Sequence, residues 1–210
     1  MEECKYCFKS IENGATILDL LLNRDVLCPS CRRSLQKAKR FTKFHGIPLI
    51  SFYIYNDFYS SLLVQYKECM DEALSDVFLY PFICWIKIRF NSYTIVPIPS
   101  SSEKLAERGF NHVIKMVEQT KLPICDCLLK TENIKQAFLS KTQREKMKKD
   151  IKIKPGMSIP KRILLVDDVL TTGNTMMGAL EALQGIDVKI KILVVANHPL
   201  NLRNKQERLF

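Results

Sequence analysis

The 210-residue sequence lacks the glycine-rich stretches that mark the most common nucleotide-binding folds. No Gly-x4-Gly-Lys-Ser/Thr stretch is present, which excludes a P-loop, and no Gly-x-Gly-x-x-Gly fingerprint of dinucleotide binding occurs. Internal repeats and low-complexity tracts are also missing. With 47% hydrophobic residues, the composition is ordinary for one globular α/β domain with a small appendage.

Signals for export and for membrane insertion are missing as well. The sequence shows no signal-peptide pattern and no apolar run of the length that spans a bilayer. We therefore expect a cytoplasmic protein without membrane insertion, in a compartment that keeps thiols reduced.

Histidine is scarce, and the three that occur, His45, His112 and His198, stand alone in the sequence. We interpret each as structural or solvent-exposed rather than catalytic, so the sequence shows no obvious general base. A helix-turn-helix or other duplex-reading motif is not visible either, which argues against a reader of duplex DNA.

Eight cysteines are present, and four of them form two Cys-x-x-Cys pairs near the N-terminus. The pairs are Cys4 with Cys7 and Cys28 with Cys31, separated by 20 residues. This spacing is typical of a four-thiolate zinc site, in which the metal has no open position and serves folding. Disulfides and a redox motif are the alternatives. We predict a zinc-binding module over residues 1–45.

Positive charge is in excess, with a formal net charge of +10, and it is clustered. Residues 130–162 contain 11 Lys/Arg and 3 Asp/Glu, and residues 32–43 contain six basic residues and no acid. Phe41 and Phe44 interleave the second cluster, a combination that can hold single-stranded nucleic acid by phosphate contacts and stacking. The alternative is a solvated lysine face whose aromatic residues pack on the zinc module.

Strand and helix patterns alternate through residues 46–210. We predict strands over residues 49–55, 94–98, 162–166 and 188–196, and helices over residues 59–69, 72–88 and 105–119. This alternation is typical of an α/β fold with a mostly parallel sheet. Residues 130–160 are polar and basic and are predicted to form a loop or a mobile hairpin.

The most informative stretch joins an apolar strand to a helix through Asp167, Asp168 and a small polar turn. The turn consists of Thr171, Thr172, Gly173, Asn174 and Thr175. Free backbone N–H groups and the helix dipole favour a phosphate at such a turn, where a glycine lets the anion approach.

The two carboxylates would repel a phosphate but suit vicinal hydroxyls, or a Mg²⁺ held through water. Together with the turn they describe a site for a ribose 5-phosphate. A receiver domain also carries paired aspartates, but only 42 residues follow Asp168, too few for its remaining units. A solvated acidic turn with a helix cap is the structural alternative.

Residues 162–175 resemble the phosphoribosyl-pyrophosphate (PRPP) loop of type I phosphoribosyltransferases, in which two acids and a Thr-Gly-x-Thr turn follow apolar residues. The resemblance implies a sheet of the type I phosphoribosyltransferase kind. It further implies that Asp167 and Asp168 hold the ribose hydroxyls, that the turn holds the 5-phosphate, and that Mg²⁺ accompanies PRPP. Thr171 stands where purine-salvage members often carry an aspartate base, so ordinary purine salvage is less expected.

PRPP also carries a pyrophosphate, so a second anion-binding loop is expected. The predicted strand over residues 94–98 ends in Pro97-x-Pro99 and is followed by serines, Lys104 and Arg108. We expect Lys104 and Arg108 to meet the pyrophosphate, because arginine offers bidentate geometry to such an anion. Two anion loops at the carboxyl ends of strands fit the general rule for open α/β sheets.

The order of these motifs resembles the ComF family (competence protein F, or GntX-like), which joins an N-terminal zinc module to a phosphoribosyltransferase-like domain. The matching features are Tyr55-Asn56-Asp57, Leu62, Lys67, Pro97-x-Pro99, Arg108-Gly109-Phe110-Asn111, Lys130, Gln136, Leu139 and Arg144. Two departures, residues 100–103 in place of common basic residues and His112 in place of a common glutamine, predict a weaker hold on pyrophosphate.

The resemblance implies a PRPP-binding competence factor that acts on internalised single-stranded DNA during DNA uptake in natural transformation. Other competence proteins, such as a helicase, are the partners it suggests. The alternative is an active phosphoribosyltransferase that displaces pyrophosphate from PRPP with an unknown acceptor. A regulator that uses PRPP as a signal and binds duplex DNA ranks last, because no duplex-reading motif is visible.

Overall fold

The computed structural model describes residues 3–11, 26–131 and 151–199. Gln136, Leu139 and Arg144, together with most of the predicted loop or hairpin over residues 130–160, lie outside the described residues. No helix in the described part of the chain combines the length and the apolar character needed to cross a membrane.

Within these ranges, strands and helices alternate through most of the chain. The strands are β1 Lys37–Phe44, β2 Ile47–Ile54, β3 Thr94–Pro97, β4 Leu128–Lys130, β5 Ile151–Ile153, β6 Arg162–Leu170 and β7 Lys189–Asn197. The α-helices are α1 Pro29–Ser34, α2 Asp57–Lys67, α3 Ser75–Leu79, α4 Ile83–Phe90, α5 Ser102–Arg108, α6 His112–Glu118 and α7 Asn174–Ala182.

Five strands form one sheet in the order β1-β2-β7-β6-β3. Four of them are parallel, and β1 joins the edge of the sheet as an antiparallel partner of β2. The centre of β6 is buried on both faces, as expected of a parallel strand that is covered on both sides. The predicted α/β fold with a mostly parallel sheet is therefore confirmed.

The sheet separates two apolar clusters. One face packs against α2, α3, α4 and α6, and its core also contains Cys4, Cys28 and Cys31. The other face packs against α7 and the short antiparallel hairpin of β4 and β5. The N-terminal thiols thus share a core with the sheet. They lie on the face that is covered by α2, α3, α4 and α6.

The helix predicted over residues 72–88 is wrong in its continuity. The structure has a 3-10 turn at Glu72–Leu74, then α3, a second 3-10 turn at Tyr80–Phe82, and α4. Pro81 lies in the second turn and has no backbone N–H for an α-helical bond, which accounts for the break at this point.

The helix predicted over residues 105–119 is likewise two helices. Gly109 ends α5 in the left-handed conformation at φ 78°, and its N–H donates to the carbonyl of Leu105. Asn111 then caps α6 through its side-chain oxygen, which accepts from the N–H groups of Val113 and Ile114. Arg108 and His112 consequently lie on either side of a sharp turn.

Two strand assignments also differ from the sequence-based prediction. Strand β6 continues to Leu170, because its ladder with β7 runs through Asp167 and ends at the pair Leu170–Asn197. The basic stretch at residues 37–44 is the edge strand β1, where lysines are common because they discourage further strand pairing. The β1–β2 hairpin spans the predicted module boundary after residue 45, which stays a prediction.

Candidate functional site

A cleft of about 410 Å³ opens where β3 and β6 end, the edge of a parallel sheet at which ligands usually bind. Its size lies within the range of small-molecule sites. The segment after β3 and the segment at the end of β6 both line it. The lining residues from these two segments include Ser100, Ser101, Lys104, Arg108, Asp167, Asp168, Thr171 and Thr175.

The structure therefore brings six of the predicted ligand-binding residues into one cleft. Thr172, Gly173 and Asn174 complete the turn at the start of α7 but do not line the cleft. Gly173 adopts a left-handed backbone at φ 79°, and a Cβ there would lie 2.7 Å from the Phe44 ring. The backbone conformation therefore favours glycine, and any larger residue would also make the Phe44 ring shift.

The two aspartates differ in their surroundings. The Oδ1 atom of Asp167 accepts from the N–H of Asp168 at 2.9 Å, and that of Asp168 accepts from the N–H of Val169 at 2.8 Å. Burial and the neighbouring Asp168 charge raise the pKa of Asp167 well above its usual range. Burial also acts to raise the pKa of Asp168, but Lys67 and its other partners outweigh that effect and lower the pKa to about 2.

Lys67 forms an ion pair with the carboxylate of Asp168 at the floor of the cleft. Lys67 is the last residue of α2, whereas Asp168 lies in β6, about a hundred positions later in the chain. The resemblance singled out Lys67 as a matching residue but assigned it no role. A lysine at a helix end has no sequence signature that pairs it with a distant aspartate, so only the fold reveals this contact.

His112, which we interpreted as structural or solvent-exposed rather than catalytic, also lies in the cleft. It is buried, and its Nε2 atom lies 3.7 Å from the Oδ2 atom of Asp168. Its Nδ1 atom lies 3.1 Å from Nη1 of Arg108. Burial, reinforced by the charge of Lys67, lowers the pKa of His112 to about 3, so the imidazole is neutral near pH 7.

The two basic residues expected to bind pyrophosphate stand in different environments. Arg108 is buried and contacts protein groups: its Nε donates to the carbonyl of Lys67 at 2.9 Å, and its Nη2 lies 3.7 Å from Glu68. Lys104 is exposed at the rim of the cleft. Of the two, Lys104 therefore has the freer access to an anion, and Arg108 holds the end of α2.

The four cysteines predicted to bind zinc come together in space. The Sγ atoms of Cys4, Cys7, Cys28 and Cys31 all lie within 4.8 Å of one another, and those of Cys7 and Cys28 are 3.7 Å apart. Tetrahedral zinc with Zn–S bonds of about 2.3 Å requires sulfurs about 3.8 Å apart. The cluster therefore fits a tetrahedral metal ion and could hold one.

The cysteine cluster is joined to the helical face of the sheet by specific contacts. Lys5 pairs with Asp76 of α3 at 2.9 Å. The ring of Tyr6 meets that of Phe58 in α2 edge-on, with centroids 4.8 Å apart. Tyr6 thus packs on α2 and joins the cysteine cluster to the helices that cover the sheet.

A basic and aromatic face lies where β1 meets α4. Phe41 of β1 is 53% exposed, and its ring meets that of Trp85 at a centroid distance of 6.0 Å. The Nζ atom of Lys39 lies 3.6 Å from the centroid of the Trp85 ring, within cation–π range. Phe44, the other aromatic residue of this cluster, is half-buried beside Gly173 instead.

Comparison with known proteins identifies the family. Residues 84–208 match the phosphoribosyl transferase domain. The chain is 30% identical over 221 residues to competence protein ComFC of Streptococcus pneumoniae, with 91% of this chain and 99% of that protein covered. It is also 30% identical over 128 residues to competence protein ComFC of Bacillus subtilis, with 60% of this chain and 53% of that protein covered.

A solved structure, adenine phosphoribosyltransferase from Leishmania donovani, aligns with a TM-score of 0.40 and 12% identity over 81% of this chain and 94% of that one. This likeness is too weak to carry any conclusion. The domain match covers more than half of the chain, and the pneumococcal relative covers nearly all of it. The chain therefore belongs to the ComF family, whose members contain a phosphoribosyl transferase domain.

Proposed function

We propose that this chain binds PRPP together with Mg²⁺ in the cleft between the ends of β3 and β6. We further propose that it acts in the cytoplasm as a zinc-containing competence factor on internalised single-stranded DNA in natural transformation. The observation that carries the first part is that residues from both predicted anion loops and the aspartate pair line one cleft. The second part rests on the two ComFC relatives.

In this proposal each part of PRPP meets a different wall of the cleft. The 5-phosphate lies against the turn at the start of α7, where backbone N–H groups of the helix N-terminus and the side chains of Thr171 and Thr175 can face it. Asp167 accepts from the ribose hydroxyls. Ser100 and Lys104 face the pyrophosphate, whose charge Mg²⁺ neutralises when it is bound.

Calorimetric titration of the full chain with PRPP tests the ligand assignment. We expect one PRPP per chain, with binding that strengthens when Mg²⁺ is present, because the ion reduces the charge that the cleft must accommodate. Ribose 5-phosphate should compete, since it carries the diol and the 5-phosphate, whereas ribose alone should not. Failure of PRPP to bind with Mg²⁺ present would contradict the proposal.

A phosphoribosyltransferase that uses an unknown acceptor is the second candidate, favoured by the presence of both anion loops in the cleft. Its test is acceptor-dependent release of pyrophosphate from PRPP with a panel of bases and amines. His112, the histidine that lines the cleft, is a poor general base at neutral pH because its pKa is lowered to about 3. We therefore rank binding without turnover first.

For the DNA we propose the face formed by β1 and α4. These two elements contain six Lys/Arg and no Asp/Glu, so the phosphates of a strand meet positive charge without local repulsion. Phe41 offers an exposed ring on which a base can stack, with Trp85 and Lys39 beside it. A competence helicase as a partner stays a prediction, without an assigned surface.

Trp85 is the single tryptophan of the chain, so its fluorescence reports directly on this face. We expect an oligothymidylate strand to quench it, and Phe41→Ala to weaken binding by about tenfold, since base stacking on a ring contributes about 1–3 kcal/mol. A Lys39→Glu, Arg40→Glu variant should also flatten the dependence of affinity on salt, because fewer counterions are released.

The matched control for the charge reversal is Lys121→Glu, Lys161→Glu, which makes the same change in net charge at two exposed lysines outside β1 and α4. It should retain most of the affinity and the salt slope of the unaltered chain. Equal losses in both double variants would show that net charge alone drives binding, and would refute this face as the DNA site.

A further inference from the structure

His112 lies between the charged side chains of Arg108 and Asp168 on the floor of the cleft. Its Nδ1 atom contacts Nη1 of Arg108 at 3.1 Å and the hydroxyl of Ser100 at 3.4 Å. Its Nε2 atom is buried, has no hydrogen-bond partner among the residues that the structure describes, and lies 3.7 Å from the Oδ2 atom of Asp168. This distance exceeds that of a hydrogen bond but is too short to admit a bridging water.

Arg108 determines which nitrogen of the imidazole carries the proton. A guanidinium can only donate hydrogen bonds, so Nδ1 of His112 must accept from Arg108. A neutral imidazole whose Nδ1 accepts carries its hydrogen on Nε2. The neutral form itself follows from burial and from the charges of Lys67, Arg108 and Lys104 around the ring, which outweigh the opposing effect of Asp168.

The Nε2–H group therefore lies near Asp168, whose carboxylate also interacts with the side chains of Lys67 and Asp167. Oδ1 of Asp168 accepts from the N–H of Val169, and Oδ2 is contacted by Lys67. Lys67 lines the cleft and is a cation at its floor, so the phosphates of a bound ligand would compete with Asp168 for it. If Lys67 turned to the ligand, Asp168 would keep a buried negative charge without its ion-pair partner, which is unfavourable.

We infer that His112 is a positioning residue for Asp168: its Nε2–H, oriented by Arg108, closes onto Oδ2 when Lys67 turns toward the bound phosphates. Donor–acceptor pairs at such sites are often long in the empty state and shorten when ligand binds. This inference rests on the proposed binding of PRPP. In the liganded cleft, Asp168 would then be held in place by a side chain of the protein as well as by the ligand.

The side-chain isosteres of histidine separate this role from simple packing. In His112→Asn, the amide oxygen replaces Nδ1 and still accepts from Arg108, but nothing replaces Nε2–H. In His112→Gln, the longer side chain can place an amide N–H near Oδ2 of Asp168. We expect His112→Asn to weaken PRPP affinity by roughly tenfold, the value of one hydrogen bond to a charged group, and His112→Gln to stay within about threefold.

Nuclear magnetic resonance provides a readout that packing would not change. Long-range ¹H–¹⁵N spectra of the ¹⁵N-histidine-labelled full chain, assigned with the His112→Asn variant, should show His112 protonated on Nε2 alone. The same signals should stay unchanged between about pH 8 and 5.5, well above the lowered pKa, whereas an ordinary histidine titrates near pH 6.5.

Three results would overturn the inference. They are a His112 ring protonated on Nδ1, a ring that titrates near pH 6.5, and equal PRPP affinities of the Asn and Gln variants when both melt at the same temperature. If the unaltered chain binds no PRPP, the proposed function fails, and the spectra still decide whether Arg108 holds the Nε2–H form toward Asp168. The two failures are therefore distinguishable.

Discussion

Replacing Cys28 with serine is expected to lower the melting temperature of the whole chain by about 10 °C or more. The physical reason is that loss of a metal belongs to the changes that cost more than about 4 kcal/mol, and one kcal/mol shifts the melting temperature of a chain of this size by about 2–4 °C. Removing the metal from the unaltered chain with a strong chelator should have a similar effect.

The loss should not stay within the N-terminal segment. Cys4, Cys28 and Cys31 belong to the same apolar cluster as Tyr59 and Phe78, which pack on the sheet. Lys5 pairs with Asp76 in addition. The cysteine cluster and the sheet share this core. Unfolding of the cluster therefore exposes apolar surface on α2 and α3, which lowers the stability of the sheet domain as well.

Differential scanning calorimetry and elemental analysis check this prediction. Cys69→Ser is the matched control, since Cys69 is exposed and far from the four clustered thiols in the sequence. It should leave the melting temperature unchanged and one zinc ion per chain in place. A separate low-temperature transition, with the main transition of Cys28→Ser unshifted, would show that the module folds independently and would contradict the shared core.

Asp167→Asn and Asp168→Asn are expected to differ in their effects on the stability of the chain and on PRPP binding. Asp168→Asn leaves the ammonium of Lys67 without its buried counter-ion, which should destabilise the chain by about 3 kcal/mol. Asp167→Asn keeps an oxygen that can accept from the N–H of residue 168 and removes a carboxyl whose burial beside Asp168 is unfavourable. Its stability should therefore stay unchanged or rise slightly.

Asp167→Asn should lower the affinity for PRPP without lowering the stability of the chain. Asp167→Asn should weaken PRPP binding by about tenfold in a fully folded protein, because the ribose hydroxyls lose a carboxyl acceptor and a hydrogen bond contributes about 0.5–1.5 kcal/mol. Calorimetric titration with PRPP and Mg²⁺ measures this loss. Unchanged affinity in Asp167→Asn would remove this residue from the site.

A second substitution tests the ion pair itself. Adding Lys67→Met to Asp168→Asn should recover part of the lost stability, because the double variant no longer contains an uncompensated buried charge. Urea denaturation of the four proteins, from unaltered to double variant, gives the coupling between the two side chains. Strictly additive losses would show that Lys67 and Asp168 do not stabilise each other.

The residues of the two motifs could be predicted well from the sequence. The distant residues that contact them in the fold could not. The spacing of Cys4, Cys7, Cys28 and Cys31 determines how closely four sulfurs can approach one ion, so the sequence alone predicts the cluster that the structure shows. Asp167 and Asp168 were likewise recognisable from their neighbours. Their roles as ligands of the ribose stay predictions, because the contacts in the structure are all with groups of the protein itself.

The misplaced helix ends have a local physical cause that sequence patterns represent poorly. The apolar periodicity of residues 72–88 and 105–119 is that of helices, and it continues across the breaks. Pro81 and Gly109 interrupt the backbone hydrogen bonds without interrupting that periodicity, because the same residues still pack on the sheet after the turn. Periodicity reports which side chains face the core, and not where the backbone turns.

By itself, the sequence determined the fold class, the four-cysteine cluster and the two segments that would meet at a cleft, because each depends on short spacings or on the alternation of strand and helix. Only the tertiary structure decided that Lys67 and His112 join Asp168, that Arg108 is buried, and that a basic stretch becomes the edge strand β1. The sequence contains many lysines and arginines. Which of them reaches the buried carboxylate of Asp168 depends on the path of the chain between the parallel strands.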